Sequence, residues 1–329
     1  MKRGARVLVA CSGGPDSVAL ARLFVEIQTC LGTRVEIAHV NHALRGRDST
    51  EDERFVRRLA KQLGWRCHVM RCPIKPLASG NLEEIAREKR YAALAALAKK
   101  RKAMAVFTAH TLDDQAETVF MNLMRGVGPD GLAGMAPVRS LGRSGVALCR
   151  PFLEVSKKEL LEWLSGYQQQ FRKDRSNANT AFLRNWLRTR LLPSIEKKSA
   201  GFMRRIGRLA TLALDEKRHW DAEMEALEAQ LLKPHKKGRL LDLRGLLRYS
   251  PAIQRRFLRR SLGRDVLTFE AVERLREWMQ SPPTGGRLWQ LKKGWIVERL
   301  SKSKGSPSPQ LFWFKQFPLA KEKTVHEKI

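Results

Sequence analysis

The chain has 329 residues, 43% of them apolar, and carries 63 Lys and Arg against 33 Asp and Glu, a formal net charge of +30. That length allows more than one domain with its own core, the apolar fraction excludes a disordered chain, and charges interrupt the apolar runs too often for a membrane span. An excess of this size suits a polyanionic partner, nucleic acid before a membrane surface.

Five cysteines, Cys11, Cys30, Cys67, Cys72 and Cys149, include no Cys-x-x-Cys pair and fit no zinc spacing, so they read as reduced thiols of a cytoplasmic protein. Lys2, Arg3 and Arg6 precede an apolar run that stops at Pro15-Asp16, too short for the core of an export signal.

The first element organises the rest. Val7 to Cys11 read as a short buried strand and Val18 to Gln28 as a helix, joined by the turn Ser12-Gly13-Gly14-Pro15-Asp16-Ser17. Glycines let backbone N–H groups crowd onto an anion, Ser12 and Ser17 add hydroxyls, and the helix aims its positive end at the same point. An ordinary tight turn would use the same glycines. The lysine that follows the second glycine of the common P-loop is replaced by Pro15 and Asp16. A carboxylate facing phosphates requires a cation between them, so Asp16 is the candidate Mg²⁺ ligand.

A second strand, Arg34 to Val40, ends in His39, Asn41, His42 and Arg45, polar groups at a strand's carboxyl end where an open α/β sheet binds ligands. Glu51 to Leu63 form a basic helix, Trp65 to Arg71 a strand, and Asn81 to Lys100 a helix with capping-box spacing between Asn81 and Glu84, carrying Arg87, Arg90 and Tyr91. A fourth strand, Ala103 to Ala109, runs into His110 and a helix start in which Thr111 caps Asp114. Asp113, Asp114 and Glu117 then lie within one turn. Three carboxylates beside a phosphate loop suit a metal or an amine substrate, while capping alone would account for Asp113.

Residues 129 to 145, rich in glycine, read as a mobile or strained segment over the active face. Val146 to Cys149 form a fifth strand, Ser156 with Glu159 starts another helix, and Arg184 and Arg188 share a helix face suited to clamping phosphate.

Beyond Pro193, Phe202 to Leu232 form a long helix whose Trp220, Met224, Leu227 and Leu231 stripe is core. Arg255, Arg256, Arg259 and Arg260 form a basic face on the helix Pro251 to Leu262, suited to RNA phosphates. Leu288 to Leu291, Trp295 to Leu300 and Leu311 to Phe317 read as strands of a small closing sheet, followed by a charged tail.

Six separated signatures, in order, make this chain similar to one family. They are the S-G-G-x-D-S loop, H-x-N-H-x-L-R at 39 to 45, A-R-x-x-R-Y at 86 to 91, H-x-x-D-D-Q-A-E-T at 110 to 118, R-G-x-G-x-x-G-L-x-G-M at 125 to 135, and D-x-S-N with R-N-x-x-R at 174 to 188. Together they resemble the bacterial tRNA(Ile)-lysidine synthases, members of the PP-loop ATP pyrophosphatases.

The resemblance implies a Rossmann-like parallel sheet with a PP-loop over residues 1–195, then a mostly helical, basic tRNA-binding domain over 196–329 ending in a short β region. It implies ATP on Ser12, Gly13, Gly14, Pro15, Asp16, Ser17, His39, Asn41, Arg45 and His110, and Mg²⁺ on Asp16. Chemistry would fall to Asp16, Asp113, Asp114, Glu117, Arg184 and Arg188. Arg87, Arg90 and the 255–260 arginines would meet RNA. The implied reaction joins free L-lysine to the wobble cytidine of a CAU-anticodon tRNA(Ile), releasing pyrophosphate and then AMP. Oligomeric state stays open, a homodimer included. The alternatives are a tRNA thiolase or another ATP pyrophosphatase of the same superfamily and, from another class, a non-catalytic, ATP-responsive RNA-binding protein.

Overall fold

The computed structural model describes residues 3–43, 46–74, 82–142, 145–172, 183–235, 238–263, 267–281, 288–291, 295–300 and 310–315. The chain forms two compact units, Met1–Glu216 and Lys217–Ile329.

The first unit is built on β1 (Arg6–Ala10), whose RVLVA sequence has no polar face because both faces are covered. Val7 and Val9 join the core formed with α1 (Pro15–Leu31), α2 (Arg47–Gln62) and α5 (Lys157–Gly166), while Leu8 packs on the other side with Leu94, Leu97 and Ala98 of α3 (Leu82–Arg101). Around β1 run β2 (Arg34–Asn41), β3 (Arg66–Arg71), β4 (Ala105–Phe107), β5 (Val138–Ser140) and β6 (Ala147–Cys149), in the order β3-β2-β1-β4-β6-β5. All pairs are parallel except β5 with β6. The chain leaves β1 toward β2 and returns to its other side as β4, so the loops after β1 and β4 part at a topological switch point, the ligand crevice of an open α/β sheet.

Elements expected from the sequence occur at or near their predicted places, with one correction. The glycine-bearing stretch after α4 (Leu112–Met124) is a 3-10 turn at Pro129–Ala133 followed by the edge strand β5. It is tied down by α4: Gln115 Nε2 donates to the Met135 carbonyl (3.2 Å), Met135 N–H donates to Gln115 Oε1 (2.8 Å), and Asn122 donates to the Gly131 carbonyl (2.8 Å). Gly134 has φ 53°, and a Cβ there would lie 2.8 Å from Gln115 Oε1, so that glycine serves a close approach. The predicted Asn81 cap lies outside the described residues.

After α5 come α6 (Leu183–Trp186), a π-helical turn at Leu187–Leu191, α7 (Leu192–Lys198) and α8 (Phe202–Leu231). Pro193 has no N–H for the Thr189 carbonyl, which loosens the helix where the π turn forms.

In the second unit, β7 (Leu232–His235), β8 (Gly238–Asp242), β9 (Leu288–Leu291), β10 (Trp295–Leu300) and β11 (Gln310–Lys315) form an antiparallel sheet ordered β7-β8-β11-β10-β9. With it go α9 (Leu243–Leu247), α10 (Pro251–Leu262) and α11 (Phe269–Gln280). Met224, Leu227 and Leu231 of α8 lie in its core, as their spacing predicts. β7, β8, α9 and α11 were not foreseen. Pro234 argues against a strand in isolation, but β7 is the sheet's edge, where a missing N–H is tolerated.

Candidate active site

Three helix N-termini, those of α1, α4 and α5, meet at the crevice, and each carries a charged residue in its first turn. At the phosphate loop, Gly13 has φ 95°, which brings the amides of Ser12 and Gly13 onto one point. Both donate to Ser17 Oγ, at 3.1 and 3.2 Å, and that hydroxyl donates to the Gly14 carbonyl at 2.9 Å. Ser12 Oγ lies 3.2 Å from the same hydroxyl. Amides, two hydroxyls and a helix N-terminus therefore converge as an anion cradle. Asp16 stands beside it in the first turn of α1.

The acidic turn of α4 divides its carboxylates by task. Asp114 Oδ2 accepts from the backbone and side chain of Thr111 (2.9 and 3.0 Å), the reciprocal capping box. Asp114 Oδ1 faces outward to Lys157 Nζ (3.4 Å) and Arg188 (3.1 Å), with Arg184 at 4.0 Å. Asp113 accepts from the Lys157 backbone N–H (2.8 Å), so it holds the start of α5. Glu117, 1% exposed, accepts from Arg184 (2.9 Å) and from two nitrogens of Arg188 (2.6 and 3.0 Å). Arg188 lies on the π turn, and its pairing with Glu117 closes the C-terminal segment of the unit onto α4.

Burial pushes the Asp16 carboxyl up to about 6, against the pull of Lys157, with Asp114 and Asp113 adding repulsion. Burial also acts upward on Asp114, but Lys157, the Thr111 N–H, His110 and Arg188 outweigh it and hold that carboxyl at about 2. His110 is pushed down to about 3 by burial, with Arg150, Arg87 and Arg90 adding to the effect and Asp114 opposing it, so it is a neutral ring bonded to Thr108 Oγ1 (3.0 Å). Burial raises the Cys11 thiol to about 11, which makes it inert packing under the loop.

Other sequence-predicted residues are placed differently. His39 is buried, and its Nδ1 donates to the Cys11 carbonyl (2.8 Å), bracing the end of β1. Asn41 is also buried. Its amide donates to the Ser49 carbonyl and Glu53 (both 3.2 Å), and its oxygen accepts from Ala43 N–H (2.9 Å). Arg45 lies outside the described residues, as does the Asp174 to Asn177 motif.

Arg87 stacks on Tyr91, whose ring Arg139 also faces, while Arg90 is exposed on the same helix. In the second unit Arg255 is held by Glu273 (2.7 Å) and Arg260 by Glu228 and Glu225 (3.1 and 3.4 Å), Arg256 stacks on Trp220, and Arg259 is half-buried.

Two residues escaped the sequence reading. Arg150 is 3% exposed, donates to the Ala136 carbonyl (2.5 Å) and bonds Tyr91. Lys157 reaches both Asp114 and, at 3.9 Å, Asp16. A signal for it existed: a lysine directly after an N-cap faces the positive end of its own helix, so its charge must be answered from elsewhere.

Among the described residues no three His, Cys, Asp or Glu side chains form a self-contained metal cage. Asp16 and Asp114 do offer hard oxygens around one cationic position, which an ammonium fills. One or two carboxylates plus substrate phosphates is the donor set Mg²⁺ takes, so these residues fit it.

A family model described as a PP-loop domain matches residues 2–195, which makes this an ATP-binding chain. The tRNA(Ile)-lysidine synthase of Thermosynechococcus vestitus is 34% identical over 84% of this chain and 79% of its own length. That of Geobacter sulfurreducens is 34% identical over 87% and 61%, and that of Deinococcus radiodurans 37% over 83% and 43%, so the chain spans less than two thirds of those longer relatives. Among solved structures, the U34-tRNA thiolase NcsA of Methanococcus maripaludis with its [4Fe-4S] cluster superposes with a TM-score of 0.56 at 19% identity, covering 65% of this chain and 73% of that one, a likeness of fold. On the PP-loop match and the extent of these alignments, the chain belongs to the tRNA(Ile)-lysidine synthase family.

Proposed function

We propose that the protein ligates free L-lysine to the wobble cytidine of a CAU-anticodon tRNA(Ile), with ATP cleaved to AMP and pyrophosphate. The observation that carries this reading is that a single ammonium, Lys157 Nζ, lies within 4 Å of both Asp16 beside the phosphate loop and Asp114 of the acidic turn. A phosphate site and an amine site are thus within reach of one another, as a reaction that activates with ATP and then attacks with an amine requires.

In the first step the oxygen on the cytidine ring attacks the α-phosphate and pyrophosphate leaves. The Ser12 hydroxyl and the α1 N-terminus bind the phosphates and oppose the charge that grows on the leaving group, and the Ser12 and Gly13 amides join them once a phosphate oxygen takes the place of Ser17 Oγ. Asp16 and Asp114 are the residues that would hold Mg²⁺, which would supply further neutralisation of that charge. In the second step the ε-amine of lysine attacks the activated ring carbon, AMP departs with the oxygen, and the amine's proton passes to a site carboxylate. Asp114, kept ionised by its neighbours, attracts and orients the incoming ammonium. Glu117 acts one layer back: it fixes Arg184 and Arg188, which steady phosphate.

We place the protein in the cytoplasm, where its tRNA is; no described helix is long and apolar enough to cross a membrane. The domain assignment that goes with this reading is residues 1–195 for nucleotide and lysine chemistry and 196–329 for tRNA. Thiolation is less well supported, because the five cysteines include no Cys-x-x-Cys pair. The test is incorporation of labelled lysine into a CAU-anticodon tRNA(Ile) transcript with ATP and Mg²⁺, with AMP followed in the same tube. Uptake that needs both ATP and the wobble cytidine is expected. AMP without lysine uptake refutes the nucleophile or the RNA, and neither product from folded protein refutes the ligase.

A further inference from the structure

We infer that the ε-ammonium of Lys157 is an internal counter-ion, which holds the cation position between Asp16 and Asp114 in the ATP-free protein and yields it when a divalent cation binds. The inference rests on the reading of Asp16 as the Mg²⁺ ligand.

Helix energetics alone would not put a lysine here. Lys157 is the first residue of α5, directly after the Ser156 cap, where the helix end is positive and a cation is disfavoured. What answers its charge lies on other elements: Asp114 on α4 at 3.4 Å and Asp16 on α1 at 3.9 Å. The backbone beneath it is fixed three times. Lys157 N–H donates to Asp113, Leu112 N–H donates to the Val155 carbonyl (3.0 Å), and Ser156 and Glu159 cap each other. The anchor is rigid while the four-carbon stem is free to turn.

The two carboxylates hold this ammonium unequally. Asp114 accepts a hydrogen bond from it, whereas 3.9 Å to Asp16 is an electrostatic pairing without one. Asp114 does not depend on it for its place, since Thr111 grips Oδ2 and Arg188 shares Oδ1. Asp114 therefore keeps its place when the lysine is lost. An ammonium and a divalent cation cannot share a position between two carboxylates without strong mutual repulsion. Bare Mg²⁺ is thus opposed at this site, whereas Mg²⁺ arriving on a triphosphate brings the negative charge that draws the displaced ammonium from the carboxylates to the phosphates. The device favours arrival of the cation with its nucleotide.

The test is Mn²⁺ binding to the ATP-free full chain, read by loss of the free-ion paramagnetic resonance signal, which does not depend on turnover. Lys157→Gln should tighten Mn²⁺ binding about tenfold, the repulsion removed when an ammonium displaced to about 6 Å from a divalent cation in water is taken away. Lys157→Met repeats the measurement with an apolar side chain should the glutamine variant fold poorly. Lys157→Arg and Lys158→Gln should bind as the parent does, since the first keeps the charge and Lys158 pairs with Glu162 away from the site. Adding Asp16→Asn to Lys157→Gln should abolish the gain. Equal or weaker Mn²⁺ binding by both Lys157→Gln and Lys157→Met overturns the counter-ion role and leaves the Asp16 reading standing. A gain that persists without the Asp16 carboxylate overturns that reading and this inference together.

Discussion

Glu117→Gln is the substitution that the geometry makes most informative. It removes a charge and little volume from a residue that is 1% exposed and grips two guanidiniums through three hydrogen bonds of 2.6 to 3.0 Å. Arg184 and Arg188 are themselves mostly buried, so they would be left with one fewer counter-charge in a poorly solvated place. Removing one partner of a buried pair costs about 3–5 kcal/mol. Asp114 still faces Arg188 at 3.1 Å, which puts the expectation at the lower end, about 3 kcal/mol. For a unit of this size that corresponds to a melting temperature lower by about 6–12 °C. Thermal unfolding followed by circular dichroism reads this directly, with ATP-dependent AMP release measured below the transition. Activity should fall with stability, because the same carboxylate places both arginines. A variant melting within about 2 °C of the parent would refute the claim that Glu117 is a structural counter-charge and would return it to the list of groups free to meet substrate.

Acid should destabilise the fold through two carboxylates remote from the chemistry. Burial acts upward on Glu36, but Arg101 and His68 bond it and hold it at about 2, while Glu53 is held at about 2 chiefly by Arg71, aided by Arg57 and Asn41. Both folded values lie below the unfolded 4.5, so the contribution is whole above pH 4.5 and is lost as pH falls toward 2; at about 3 kcal/mol for Glu36, Glu36→Gln should flatten the acid limb of an unfolding profile. Gly134→Ala forces a Cβ to 2.8 Å from Gln115 Oε1 at positive φ and should lower stability by about 1–3 kcal/mol in denaturant titration; an unchanged midpoint would contradict the close approach. Arg255→Gln should leave the salt dependence of tRNA binding unchanged, since Glu273 holds that guanidinium on two nitrogens, and a slope reduced by about one would show instead that it meets a phosphate.

Where function sits in short stretches the sequence was legible. The Ser12 to Ser17 turn, the Thr111 to Asp114 box and the Ser156 to Glu159 box are local devices, each built from residues within a few positions, and all three occur as read. What was not legible is pairing across distance. Arg184 and Arg188 share a helical face by spacing, but Glu117, which holds them, lies 67 and 71 residues away. His39 and Asn41 stand at a strand end beside a ligand crevice, and only packing shows that their polar atoms turn inward to Cys11, Ser49 and Glu53. Strand β5 was hidden because its three exposed residues carry no alternation, and it exists through pairing with β6.

The charge distribution resolves a conflict in the proposed chemistry. A site that accepts an ammonium needs local negative charge, while a protein that captures tRNA needs a positive field, and this chain has a formal charge of +30. Exposed carboxylates beside the crevice would repel the RNA they are meant to modify. Here Asp114 and Glu117 are buried, and three cations of the same chain, Arg184, Arg188 and Lys157, lie against them. Beyond a screening length of about 8 Å the acidic group is nearly cancelled and the basic surface governs. At contact distance the cancellation is loose at Asp16, whose ammonium partner stands off at 3.9 Å while Asp114 holds the same ammonium at 3.4 Å. A polyanion is therefore attracted from afar by the same protein that, once occupied, offers a cation or an amine two carboxylates at close range.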